Sequence, residues 1–125
     1  MQATDRCPVE TTLEMIGGKY KTLILWHLSD GIMRFSELKK AIPHATPKML
    51  TQQLRELELH NLIHREVYPV IPPKVEYSLT ETGKSLIPVL ESMRDWGAAY
   101  LRAKDLETSC FMMSKHTTSS ANSNV

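Results

Sequence analysis

The sequence predicts a mainly α fold that carries one small β-hairpin. Three observations lead there. Apolar residues recur at helical spacing between residues 8 and 60. Between Ile63 and Leu79 the period changes to two, with a proline-rich break in the middle. After Thr80 helical spacing returns and continues to about Lys104.

The elements follow in order. Pro8 suits a first helical position, where its missing N–H would be unpaired anyway. Val9, Leu13 and Ile16 give that helix one apolar face, and Gly17-Gly18 ends it. Lys19 to Leu28 reads as a second helix, with Tyr20, Leu23, Ile24, His27 and Leu28 on one side and Ser29-Asp30-Gly31 closing it. Ser36 reads as the N-cap of a short third helix marked by Leu38 and Ile42. Pro43-His44-Ala45 is a tight turn. Thr46-Pro47 then opens a fourth helix that ends near His60-Asn61, because asparagine tolerates the left-handed conformation past a helix end. Ile63, Arg65 and Val67 alternate with His64, Glu66 and Tyr68; Val75, Tyr77 and Leu79 alternate with Lys74, Glu76 and Ser78. Pro69 to Pro73 is the loop between these strands, since proline cannot donate to a ladder.

Thr80 caps a last helix lined by Leu86, Leu90, Met93, Trp96, Gly97, Tyr100 and Leu101. Pro88 removes one backbone hydrogen bond there, which predicts a kink or a late start. From Thr108 onward, ten of the eighteen residues are Ser, Thr or Asn, so 105–125 is expected to be a disordered tail, with Phe111-Met112-Met113 as an apolar exception. Two helices joined by a short turn, followed by a hairpin, form a winged helix-turn-helix. The expected domain spans 1–104, with terminal helices at 7–16 and 80–104.

Composition narrows the function classes. The chain has 125 residues, 42% hydrophobic and 23% charged, ordinary for one small globular domain. No apolar run approaches the ~18 residues of a bilayer span, so no membrane partner is expected. Residues 1–7 contain no apolar segment of the kind that marks a secretory signal. Two cysteines, Cys7 and Cys110, are too few for a disulfide scaffold and lack metal-ligand spacing. A cytoplasmic location is expected. Net charge is only +1, but Lys19 to Arg55 holds seven basic residues against two acids. That segment fits a phosphate-binding face and equally an ordinary solvated surface.

The fourth helix separates the two readings. With Leu50 at zero on a helical wheel, Leu54 and Leu57 fall within about 40°. Lys48, Thr51, Gln52 and Arg55 cluster opposite. Arg or Lys suits guanine O6 and N7, Gln suits adenine N6 and N7, and a Thr methyl suits thymine. Polar residues opposite a leucine stripe are usually just solvated; the short helix, turn and hairpin around this one favour base reading. Thr46, Lys48, Thr51, Gln52 and Arg55 are therefore the expected DNA contacts on the helix, with Lys74 on the wing. Other candidates are weaker. His60 and His64 straddle a helix end and lack a carboxylate or thiol partner, so no metal is expected. Gly17-Gly18 lacks the context of a phosphate loop. No nucleophile–base or paired-carboxylate pattern stands out, so neither catalytic residues nor a cofactor are expected.

The sequence resembles the HxlR family of bacterial winged-helix regulators. The resemblance rests on Cys7-Pro-Val-Glu with Ile16-Gly-Gly-Lys-Tyr20, on Arg34-Phe-Ser-Glu-Leu38, and on the run from Thr46 to Leu57. Val67 to Thr80 and Trp96-Gly97 complete it, so about residues 7–101 are covered. Tyr20 stands where the family usually has Trp, and Asn61 where Gly is usual. The resemblance implies a homodimer whose first and last helices form the interface, placing two reading helices in successive major grooves of double-stranded DNA. Val9, Leu13, Leu90, Met93, Trp96, Tyr100 and Leu101 are the expected interface residues. A twofold dimer implies an inverted-repeat operator with half-sites ~10 bp apart. The resemblance also implies redox or electrophile sensing at the position of Cys7. Cys7 stands immediately before Pro8, at the start of the first helix, with Arg6, Asp5 and Glu10 as its charged neighbours in the sequence. A regulator without thiol sensing, and a winged-helix protein–protein module, stand as alternatives.

Overall fold

The computed structural model describes residues 3–108 and 110–114. The chain divides into two units, Met1–Ser85 and Leu86–Val125.

In the first unit, α1 (Pro8–Ile16) starts at proline with Cys7 as N-cap, and α2 covers Lys21–Leu28. A two-residue strand β1 (Met33–Arg34) leads into α3 (Phe35–Ala41), and α4 spans Pro47–Leu59. Strands β2 (Ile63–Tyr68) and β3 (Lys74–Leu79) form the wing, and α5 (Glu81–Ser85) follows. The sheet is antiparallel with order β1-β3-β2. Met33 lies opposite Tyr77, Ile63 opposite Leu79, and Tyr68 opposite Lys74.

The core is built from α2, α3, α4 and the base of the wing. Ile24, Leu25, Trp26, Leu38, Leu50, Leu54, Leu57, Leu62 and Ile63 are buried. Each such large apolar side chain contributes roughly 1.5–3 kcal/mol of burial free energy. The single apolar side expected of α2 is too narrow a description. Leu25 and Trp26 are buried as well, and even Lys21 is, so this helix is enclosed nearly all round.

The local signals around α4 act as expected. Thr46 is its N-cap, with its hydroxyl accepting the Met49 N–H at 3.1 Å. Asn61 takes the left-handed conformation at φ 60°. Its carbonyl accepts the Thr80 hydroxyl at 2.7 Å, and the Leu62 carbonyl accepts the Thr80 N–H at 3.1 Å. Helix end, wing and α5 thus share one backbone corner. Gly83 seals it: a Cβ there would stand 2.0 Å from the Leu62 carbonyl oxygen, so only glycine fits.

Four features differ from expectation. The sheet has a third strand, β1, too short to show any periodicity. The cap of α3 is Arg34, not Ser36; the Arg34 N–H donates to the Glu37 carboxylate at 2.8 Å, and Ser36 lies inside the helix. The long helix expected over 80–104 is two helices. In the second unit α6 (Ile87–Ala103) starts with Pro88 in its first turn, which is the late start that Pro88 predicts. A short 3₁₀ turn, Phe111–Ser114, lies in the segment expected to be disordered, most of which falls outside the described residues.

Candidate nucleic-acid interface

The leucine seam of α4 fixes which face the helix shows to solvent. With Leu50, Leu54 and Leu57 buried, Thr46, Lys48, Gln52 and Arg55 are exposed and Thr51 is half-buried. An open groove of about 520 Å³ runs along this face, lined by Pro47, Lys48, Thr51, Gln52, Arg55 and Glu56. A second groove of about 240 Å³ joins it to the wing, with Thr51, Arg55, Glu58, Arg65 and Tyr77 in its walls. The structure therefore brings Lys48, Thr51, Gln52 and Arg55 together on one accessible surface, with Thr46 exposed at the N-cap just before it.

The elements beneath hold that surface in place. The Tyr20 N–H donates to Gln53 Oε1 at 2.8 Å, and the Tyr20 hydroxyl donates to the His44 carbonyl at 3.2 Å. These bonds tie the start of α2 to α4 and to the turn before it. Gly18 permits the approach, since a Cβ there would lie 2.7 Å from Gln53 Oε1. Lys21 reaches the same helix about one turn further along and pairs with Glu56 Oε1 at 2.7 Å. That bond, and next the positive charge behind it, holds the Glu56 carboxyl below the usual carboxylate range. Lys21 is consequently not part of a phosphate-binding surface, although it belongs to the basic run in the sequence.

Lys74 sits at the start of β3, opposite Tyr68. Its ammonium lies 3.4 Å from the Glu76 carboxylate and 4.9 Å from the centre of the Tyr68 ring. A hydrogen bond to Glu76 raises the Tyr68 hydroxyl above the usual phenol range. His64 and Glu66 pair at 2.7 Å on the neighbouring strand. The wing thus carries its own counter-charges, and Lys74 is partly neutralised before any partner arrives. Arg65 was not among the expected contacts. Its place in the alternation set it with Ile63 and Val67, the apolar series, yet it is exposed and faces the same groove as Arg55. The signal that could have found it is burial along the strand: beyond Ile63, β2 is exposed on both faces.

The remaining expected residues lie elsewhere. Cys7 is exposed at the N-cap of α1, and its carbonyl accepts the Thr11 N–H at 2.9 Å. The Arg6 guanidinium pairs with Glu14, one turn and more along that helix. Val9 and Leu13 are exposed on α1. On α6, Met93, Trp96 and Tyr100 are exposed, with the Trp96 and Tyr100 rings stacked at 5.4 Å, and Leu101 is half-buried. Leu90 is a correction. It is buried within its own chain, so its surface is already removed from water and is not open to a partner.

A helix-turn-helix with a polar second helix and an adjoining β wing defines a winged helix-turn-helix protein. The family model for HxlR-like helix-turn-helix proteins matches residues 15–105. The HTH-type transcriptional regulator YdeP of Bacillus subtilis is 61% identical over 94 residues, covering 75% of this chain and 73% of YdeP. A solved structure described as the redox regulator HypR in its oxidized form superposes with TM-score 0.70 at 53% identity, covering 74% of this chain and 96% of that one. The reduced form of the regulator YodB from B. subtilis gives TM-score 0.66 at 39% identity, covering 73% and 90%. The chain belongs to the HxlR-like helix-turn-helix family and is a DNA-binding transcription regulator.

Proposed function

We propose that the chain binds an inverted-repeat operator as a homodimer, with α4 in the major groove and the wing against the backbone. One observation carries the reading: α4 buries Leu50, Leu54 and Leu57 and offers Lys48, Thr51, Gln52 and Arg55 together on an open groove. These side chains have the hydrogen-bonding patterns that major-groove edges accept. Thr46 and Lys74 flank them and reach backbone phosphates. The homodimer is supported by Trp96 at 70%, Tyr100 at 51% and Met93 at 47% exposure on α6, with Val9 and Leu13 open on α1. Uncovered aromatic and aliphatic residues on a helix mark an interaction face, and each of the two helices carries its own. A winged-helix module that binds only protein would not need a base-compatible groove.

The second part of the proposal is that Cys7 switches DNA binding. It is exposed at the first turn of a helix that bears part of the dimer face. HypR is described as a redox regulator solved in oxidized and reduced forms, and YodB was solved after diamide treatment. Modification of Cys7 would disturb α1 and through it the spacing of the two reading helices. The test is an electrophoretic mobility shift on DNA upstream of the protein's own gene, before and after diamide, in wild type and Cys7→Ser. Diamide is expected to change binding in the wild type only. An identical response in both proteins would remove Cys7 from the mechanism, and no sequence-specific shift in either would remove the operator.

A further inference from the structure

Beneath the reading face lies a polar chain that side-chain exposure alone would hide. Lys21 is only 4% exposed, an unusual setting for an ammonium group. Its partner is Glu56, whose Oε1 stands 2.7 Å from Lys21 Nζ. The other carboxylate oxygen, Oε2, accepts a hydrogen bond from Gln52 Nε2 at 3.4 Å, one helical turn earlier. Glu56 also lines the groove beside Gln52. Three residues on two helices are thus joined in one line from the core to the groove.

The direction of that line is fixed by chemistry. An ammonium donates and cannot accept; an ionised carboxylate accepts and cannot donate. Burial makes Lys21 hold its anion, because an unpaired buried charge is costly. Glu56 stays ionised for the same reason, its carboxyl held low first by the Lys21 hydrogen bond. Gln52 can therefore offer Glu56 only its amide NH₂. The rest of the amide is left as one N–H donor beside one C=O acceptor. Adenine presents the complementary pair in the major groove, N7 as acceptor and N6–H as donor. An untethered glutamine could turn its amide over and meet other edges.

We propose that Lys21 and Glu56 are positioning residues that orient the Gln52 amide and so set its preference for adenine. The inference rests on the α4 reading face described above. A second consequence concerns charge. Lys21 neutralises a carboxylate that would otherwise face the phosphates across the groove.

The test is selection of bound duplexes from a random library with the full chain, then binding to the selected site and its single-base variants. Wild type, Gln52→Ala, Glu56→Gln and the combined Glu56→Gln/Gln52→Ala variant are compared. Gln52→Ala is expected to lose preference at one base pair, which locates the contact. Glu56→Gln is expected to lower the adenine preference at that same pair by about three- to tenfold, a share of the roughly 5- to 150-fold a bidentate pair supplies. Its binding to unrelated duplex should be unchanged or tighter, since one negative charge is gone. The combined variant should match Gln52→Ala. Wild-type preference in Glu56→Gln, or an additive loss in the combined variant, overturns the relay and leaves the reading face intact. No effect of Gln52→Ala overturns both. Should Glu56→Gln alone fail to fold with Lys21 left unpaired, Lys21→Met/Glu56→Gln replaces the ion pair with neutral groups and must show the same loss at the same base pair.

Discussion

Helices α4 and α6 are both amphipathic, and their apolar sides meet different fates. Leu50, Leu54 and Leu57 of α4 are covered by the chain's own α2 and wing base, and only Leu59 at its last position is open. On α6 only Leu90 is buried, while Met93, Trp96 and Tyr100 stay open. Periodicity therefore says that a face is apolar and is silent on who covers it. The exposed side of α4 is polar and suits a nucleic acid. The exposed side of α6 is aromatic and suits a second copy of the chain.

Core truncation should give the largest effect and separate the two helices. Leu54→Ala removes a fully enclosed side chain and is expected to destabilise the fold by ~2–5 kcal/mol at every protein concentration. Trp96→Ala should instead weaken association, by ~2 kcal/mol or about thirtyfold in the dimer dissociation constant. Its apparent stability should then depend on concentration, as it does for any dimer-linked fold. Urea unfolding at several concentrations, with sedimentation alongside, checks both. A concentration-independent loss in Trp96→Ala would mean that α6 is covered by its own chain after all.

The DNA-facing sides can be compared in the same way. Arg55→Ala is expected to cost operator binding ~1–3 kcal/mol and to relax preference at one base pair if the contact is bidentate. Lys74→Ala should act on all sequences alike. It should reduce the slope of log affinity against log salt by at most about one, because Glu76 already shares the charge. Sequence-dependent loss in Lys74→Ala would move the wing from backbone to base contact.

The smallest expected effect is the pH response of the α2–α4 link. The Glu56 carboxyl is depressed by Lys21 in the folded chain. Its stabilisation is thus complete above the ordinary carboxylate range and fades as pH falls from that range through the lower folded value. Lys21→Met/Glu56→Gln should lack this part of the acid-limb decline in thermal unfolding. An identical decline in both proteins would show that the pair contributes nothing to acid sensitivity.

Most of the α4 environment was legible in the sequence because its signals are local. Thr46-Pro47 starts the helix, three leucines set its inner face, and Asn61 turns the chain at φ 60°. What escaped depends on distant partners or on very short segments. Lys21 reads as one more surface cation until Glu56, thirty-five positions further on, closes on it. A two-residue strand has no period, and β1 exists because Tyr77 and Glu76 pair with it. Arg65 occupies the apolar phase of its strand, and only the exposure of β2 beyond Ile63 releases it into the groove. Leu90 fits an interface stripe by spacing, whereas burial inside its own chain decides otherwise.

The corner at Asn61, Leu62, Thr80 and Gly83 has a consequence for how such a regulator can change its target. Reading helix and wing are joined there by carbonyls, a hydroxyl and one glycine, with no contribution from Lys48, Gln52 or Arg55. The frame and the lettering are therefore inherited separately. Substitutions along the exposed side of α4 can redraw the recognised sequence at little cost to folding, as surface positions generally allow. A change at Gly83 meets backbone at once and has no such freedom. Divergence among descendants of this chain should accordingly be rapid along the exposed side of α4 and slow at Gly83.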